Sequence, residues 1–346
     1  MSLQTLLLYG MAIVVSVSAV VFLLRVGWLI RGAYRIRRAG PRRLSATQHT
    51  IWRDPGEVGT LDLCNGPGGA DGAPAPPFTF IEEHLNGSQP CVSVTDNRGR
   101  RWRVKWGNEV RAENFAVRLV WACGYHAEVT YFIEAGKIAG AQALQRASAC
   151  IADDCSFREA RFELDDPAVR KLFEEHSWAW NDNPFVGTPQ LNGLKVLVML
   201  LADWDTKDRR DVARGSNTAI FEHRVGRWRR EARYLITDWG GSMGRWGSTV
   251  VTRGRWDPEG FEAQNAEFVI GRDGEMVRFG YVGQRTSDIA AGISVDDVRW
   301  LCRYLGRITD QQLRSALAAS GASAEEADGF TRAITGRVAQ LLQSCA

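Results

Sequence analysis

The chain has no cysteine framework. Its seven cysteines are odd in number and irregularly spaced, and Cys150 and Cys155 are a lone pair with no second pair or histidine cluster beside them. That excludes a disulfide scaffold, makes zinc a poor fit, and leaves free thiols in a reducing compartment as the expectation. No internal repeat recurs at solenoid periods. Charge is absent from residues 1–24. A basic excess is absent from most of the remainder. The formal net charge is +3, but seven arginines (25, 31, 35, 37, 38, 42 and 43) crowd residues 25–43; without them 36 basic residues face 40 acidic ones, a net of −4 for residues 44–346. No nucleic-acid partner is expected from such a balance.

What residues 1–43 do have is an apolar stretch, Thr5 to Leu24, followed directly by the arginines. Twenty apolar residues match the roughly 30 Å hydrocarbon core of a bilayer. The expectation is one uncleaved transmembrane helix over residues 5–24, with the arginine cluster on anionic headgroups and the C-terminal bulk in the cytoplasm. A cleavable signal peptide is the rival, since "SVSA" supplies small residues, but the first residues carry no basic side chain and the apolar run continues past that site.

After a Gly/Pro/Ala-rich segment at 65–77, the pattern turns to strands. "FTFIEE" (78–83), "CVSVTD" (91–96) and "RRWRVKWG" (100–107) alternate as strands, a helix runs from about Asn108 to Cys123, and "AEVTYFIE" (127–134) is a strand again. Beyond this, Thr188-Pro189 opens a long apolar helix, "NTAIFEH" and "ARYLIT" read as a hairpin, and helices are expected near 294–306 and 309–343, the second broken around "SGAS". The expected architecture is α+β in two lobes: an anchor over 1–43, a small β-rich lobe with one helix over 44–135, and a larger, mainly helical lobe over 136–346.

Four features stand out in order: the turn "LNGSQP" (85–90); Lys105 in a strand between Val104 and Trp106; Glu113 on the next helix, sharing a face with Val110 and Val117; and two acidic positions, Asp205 after the long helix and Asp238 at the head of "DWGG". A strand ammonium among apolar neighbours needs an anion, and Glu113 is on the right face to supply it. Each feature also has an ordinary structural role: a hairpin turn, an edge lysine, a solvated helix face, a charged loop.

In this order the features resemble the protein-kinase-like superfamily, and "NGSQP" with the strands after it resembles more narrowly its HipA-type branch. "DTK" (205–207) looks like the core of the catalytic loop, "NTAIF" (217–221) like the strand after it, and "DWG" (238–240) like the Asp-Phe-Gly corner. The likeness spans about residues 78–240. It implies ATP and Mg2+ as cofactors. Gly87, Ser88 and Gln89 would face the phosphates, and Lys105 would neutralise them, held by Glu113. Asp205 would orient the acceptor hydroxyl with Lys207 beside the transferred group, and Asn217 and Asp238 would hold magnesium. The implied function is ATP-dependent phosphotransfer to an unknown hydroxyl.

The sequence also departs from that pattern. A G-x-G-x-x-G loop is absent, Arg210 stands where the catalytic-loop Asn is expected, Asn217 lies seven residues further on, and Asp203 competes with Asp205. Two other readings therefore stay open. One is an inactive protein of the same kind that binds nucleotide or a partner. The other is a membrane-tethered carbohydrate-binding protein, suggested by 13 tryptophans.

Overall fold

A computed structural model describes residues 48–87, 89–171, 177–205, 217–227, 229–249, 251–283 and 287–346. After a short strand β1 (Gln48–Thr50) come β2 (Phe78–His84), β3 (Cys91–Thr95), β4 (Arg101–Lys105), helix α1 (Val110–Ala122), β5 (Thr130–Ala139) and β6 (Ser156–Leu164). Strands β2 to β6 close into a five-stranded barrel in the order β2-β3-β4-β6-β5. Closure depends on β5 and β6, which pair antiparallel along their length, after which β6 joins β4 and β5 meets β2 in parallel. Phe78, Val92, Val94, Trp102, Val104, Phe157 and Phe162 fill the interior. The Phe78 and Phe162 rings lie 4.7 Å apart. Closing the sheet leaves no bare edge.

Next come β7 (Val169–Lys171), α2 (Pro189–Leu200), β8 (Thr218–Arg224), β9 (Arg230–Ile236), α3 (Pro258–Ala263), β10 (Val269–Asp273), β11 (Met276–Phe279), α4 (Val295–Leu305), α5 (Asp310–Ala318) and α6 (Ala324–Ser344). The helix starts follow local chemistry. The Thr188 hydroxyl accepts from the Leu191 amide at α2, with Pro189 in the first turn, where its missing N–H costs nothing. Ser294 with Asp297, Thr309 with Gln312 and Ser323 with Glu326 form capping boxes on α4, α5 and α6. The break at "SGAS" is real: α5 ends before it and α6 begins after it. Helix α1 is buried on nearly every side because it is wedged between the barrel and a large core that takes in α2, α4, α6 and one face of the sheet β1-β9-β8-β7.

Two expectations are corrected. The fold is mixed α/β, with a closed five-stranded barrel and six helices among the described residues. It is not the expected two-lobed kinase-like architecture preceded by a transmembrane helix. The sequence hid the closure because β6 ("SFREARFEL") mixes charged residues into both faces and does not alternate cleanly. Among the described residues no helix is long and apolar enough to cross a membrane. Even the 21-residue α6 carries Glu325, Glu326, Asp328, Arg332 and Arg337. The stretch 5–24 and the arginine cluster lie outside the described residues, and a single-pass membrane localisation has no support from the structure.

One polar knot ties β1 to this frame. The Thr50 hydroxyl donates to Glu231 at 2.9 Å and lies 2.7 Å from His126 Nε2. Its single proton is committed, so His126 must donate from Nε2 and is neutral in this tautomer. Burial, reinforced by Arg233 against the pull of Glu231, pushes the His126 imidazole down to about 3. A group depressed in the folded state takes up protons on unfolding, so its contribution is intact above the unfolded value near 6.5 and is lost as pH falls towards 3. We therefore expect the thermal midpoint to drop on acidification from pH 7 to pH 4, and His126→Gln to flatten that slope. Equal slopes in melting curves of the two proteins would rule this out.

Candidate functional site

The site lies at the mouth of the barrel, where β4 ends. Lys105 is the last residue of β4, and its ammonium reaches Glu113 Oε1 at 2.5 Å and Glu109 Oε2 at 2.9 Å. The pairing with Glu113 that the helical face predicted is therefore present. Glu113 Oε2 in turn accepts from Arg161, which stands directly opposite Lys105 on β6. Arg161 also donates to Glu163 at 2.8 Å and sits 3.7 Å from Glu128. Glu109 Oε1 accepts from Arg255 at 2.8 Å. Burial works against the Lys105 ammonium, but Glu113, Asp238 and Glu109 outweigh it and raise its pKa. Lys105 is thus a permanent cation whose side chain keeps 20% of its surface exposed.

Asp238 follows β9, and its Oδ1 accepts from the Gly240 amide at 2.9 Å, closing a tight turn. The next two residues explain why the strand runs into glycines. A Cβ on Gly240 would lie 2.9 Å from Glu109 side-chain carbons, and one on Gly241 would lie 2.6 Å from Asp203 Oδ1 and 3.0 Å from the Asp205 amide nitrogen. The corner therefore threads between α1 and the segment after α2, and only a bare backbone fits. It brings Asp238 to the Lys105 side and Asp205 to the other side of the same corner. Asn217, just before β8, is drawn in as well: its side-chain amide donates to the Asp205 carbonyl at 2.5 Å, and its own carbonyl accepts from the Thr237 amide at 2.8 Å. Asp203, the rival to Asp205, is fully buried; its Oδ1 accepts from the Asp205 amide and its carbonyl from the Tyr281 hydroxyl.

The turn 85–90 stands at the same mouth, because Cys91 pairs with Lys105 and the Trp106 amide donates to the Pro90 carbonyl. Gly87 adopts φ +96°, which favours glycine, and its carbonyl accepts from Arg146. Gln89 lies against Gly107, where a Cβ would meet its Oε1 at 2.5 Å. Ser88, Lys207 and Arg210 lie outside the described residues.

Three charged residues of the site went unread in the sequence. Glu109 stands at i+4 from Lys105 and i−4 from Glu113, a spacing that could have exposed it. Arg161 and Arg255 arrive from distant segments with no local signal. The corner also spells Gly240-x-Ser242-x-Gly244, the pattern of a serine nucleophile. Ser242 is fully buried and its hydroxyl has no hydrogen-bond partner among the described residues. Among the described residues, His49, His84 and His126 bond elsewhere, so none of these three serves it as a base.

Carboxylate oxygens of Glu109, Glu113 and Asp238 all lie within 4.8 Å of one another, close enough for a metal ion. The glutamates, however, already meet Lys105, Arg161 and Arg255. A divalent ion there would compete with the three cations already in place. No family model matches the chain, and no curated protein or solved structure matches it.

The two ends of the ion pair differ in burial, and their variants should differ in stability. Glu113 is 2% exposed and holds two cations. Glu113→Ala should cost about 3–5 kcal/mol, the usual loss when one partner of a buried pair is removed. Lys105→Met leaves Glu113 bound to Arg161 and should cost about 1 kcal/mol or less, as for a partly exposed pair. Urea unfolding midpoints measure both; the reverse ranking would refute the burial argument.

Proposed function

We propose that the cleft binds a magnesium–nucleotide polyphosphate and that the protein transfers the terminal phosphoryl group of ATP to a hydroxyl acceptor. The observation that carries this reading is the meeting of Lys105, fixed by Glu113, with Asp238 at a glycine corner that also holds Asp205 and Asn217. Phosphoryl transfer asks a protein for position and charge rather than covalent chemistry. The exposed part of Lys105 offers its ammonium to a phosphate oxygen. The bare backbone at Gly240 and Gly241 permits close approach. Magnesium, held by Asp238 with Asn217 and Asp205, would supply charge neutralisation when bound. The acceptor hydroxyl passes its proton to Asp205 as its oxygen bonds to the γ-phosphorus. The bond to the bridging oxygen breaks, and ADP leaves with that electron pair.

A second reading, binding without turnover, is favoured by one contact: Lys105 is held by both Glu113 and Glu109, so a phosphate must compete with Glu109 for it. The carbohydrate reading draws no support from the site's tryptophans, since Trp106, Trp204 and Trp239 are buried.

Calorimetric titration with ATP in magnesium and in EDTA, beside an ADP-release assay, tests both readings. We expect magnesium-dependent binding that Asp238→Ala abolishes while circular dichroism shows the fold retained. Lys105→Met should weaken binding by roughly tenfold to a hundredfold, the worth of one charge-assisted hydrogen bond. Binding without ADP release would select the second reading; no magnesium-dependent binding would end both.

A further inference from the structure

The end of helix α6 is tied to α4 through sulfur. Val295, Arg299 and Cys302 stand at i, i+4 and i+7 on α4, so they share one face. All three meet Cys345, the C-cap residue of α6. The Arg299 guanidinium donates to the Cys345 carbonyl at 3.0 Å, and the Cys345 thiol donates to the Val295 carbonyl at 3.8 Å. The Cys302 thiol in turn donates to the Cys345 sulfur. Two sulfurs from separate helices are therefore in hydrogen-bond contact.

The two thiols differ in access. Cys302 is a member of the large core, whereas Cys345 is half-buried and packs against the margin of that core. Cys123, another thiol of the same core, is fully buried. Burial, reinforced by Cys345, pushes the Cys302 thiol up to about 12, so it stays protonated at neutral pH. An oxidant arriving from solvent meets Cys345 first and finds Cys302 already against it. A core cysteine by itself is an ordinary small apolar side chain. What sets this pair apart is sulfur-to-sulfur contact with one member open to solvent, the arrangement of an attacked and a resolving thiol.

We propose that Cys345 and Cys302 form a reversible dithiol–disulfide site, in which a peroxide oxidises Cys345 and Cys302 resolves it. The Cys345 sulfur, as its thiolate, attacks one oxygen of hydrogen peroxide. The O–O bond breaks, and the other oxygen leaves as hydroxide with that electron pair. The Cys302 sulfur then attacks the Cys345 sulfur; the S–S bond forms, the S–O bond breaks, and the Cys302 proton goes to the departing oxygen as water. The two thiols lose two electrons, and one peroxide becomes two waters. The crosslink joins the two helices that brace α2: Asp297 of α4 accepts from Asn192 at 2.9 Å, and Arg337 of α6 donates to the Leu200 carbonyl at 2.7 Å. It thereby locks the support of the segment that carries Asp203 and Asp205, without using any residue of the Lys105 cleft.

The test uses the full chain, reduced, freed of reductant, treated with hydrogen peroxide at pH 7.5, blocked with N-ethylmaleimide and digested with trypsin. Cleavage after Arg299, Arg303 and Arg337 releases fragments 300–303 and 338–346, each with one cysteine. The expected main crosslink is that pair of fragments, two hydrogens lighter than their sum and separated again by dithiothreitol. Closing the loop 303–344 should also raise the thermal midpoint by about 3 °C or more, a rise that dithiothreitol reverses. Cys345→Ser, at the half-buried position, should abolish the crosslink and the rise with the fold intact by circular dichroism. Cys64→Ser, at an exposed position, should change neither. Absence of the linked fragments, a crosslink that runs chiefly from Cys302 or Cys345 to another cysteine, or a midpoint rise that survives Cys345→Ser would overturn the proposal.

Discussion

Glu113 is the residue around which the rest of the site is arranged. A carboxylate this deeply buried persists only when its charge is met, and it is met twice, by Lys105 from β4 and Arg161 from β6. The two cations face each other across one strand pair and would repel without it. The chain of charges continues outward through Glu109 to Arg255, and inward through Arg161 to Glu163 and Glu128. One connected network therefore joins the barrel, the first turn of α1 and the segment before α3. Its members hold one another in place, so the Lys105 ammonium has a fixed position as well as a fixed charge.

The glycine corner after Asp238 depends on that network for its shape. Gly240 is pressed against Glu109, which is itself held by Lys105 and Arg255; Gly241 is pressed against Asp203 and Asp205. Arg255 also lies over the Trp204 ring, whose indole N–H donates to the Gly254 carbonyl. Packing, aromatic stacking and ion pairing thus converge on the same few residues.

The sheet β1-β9-β8-β7 divides its two faces between two tasks. Ile220, Ala232, Tyr234 and Ile236 enter the large core, while the alternate residues Phe221, Arg233 and Leu235 line a cavity of about 430 Å³ between the sheet and the barrel. Strand alternation makes this division unavoidable: a residue that serves one face cannot serve the other. Glu128, on the lining of that cavity, also touches Arg161, so the cavity and the Lys105 cleft border one charge network from opposite ends.

Much of the local structure was legible in the sequence. Caps, turns and periodicity act within a few residues, so Thr188-Pro189, the hairpin of β8 and β9, and the break between α5 and α6 could all be read from their neighbours. The Lys105–Glu113 pair was readable for the same reason, since a strand cation and one helical face lie eight residues apart. Barrel closure was not, because it is decided by which of several strands β6 finds as partners, and its mixed charges carry no address. Nor were Arg161, Arg255 and the cavity between sheet and barrel, which exist only where segments up to 182 residues apart are packed together, as Arg53 and Asp54 of its rim are with Leu235. Helix ends and turns were set by the order of neighbouring residues; burial, charge pairing and cavity shape were decided by the tertiary fold, because each depends on the free energy of contacts that no short stretch of chain can make alone.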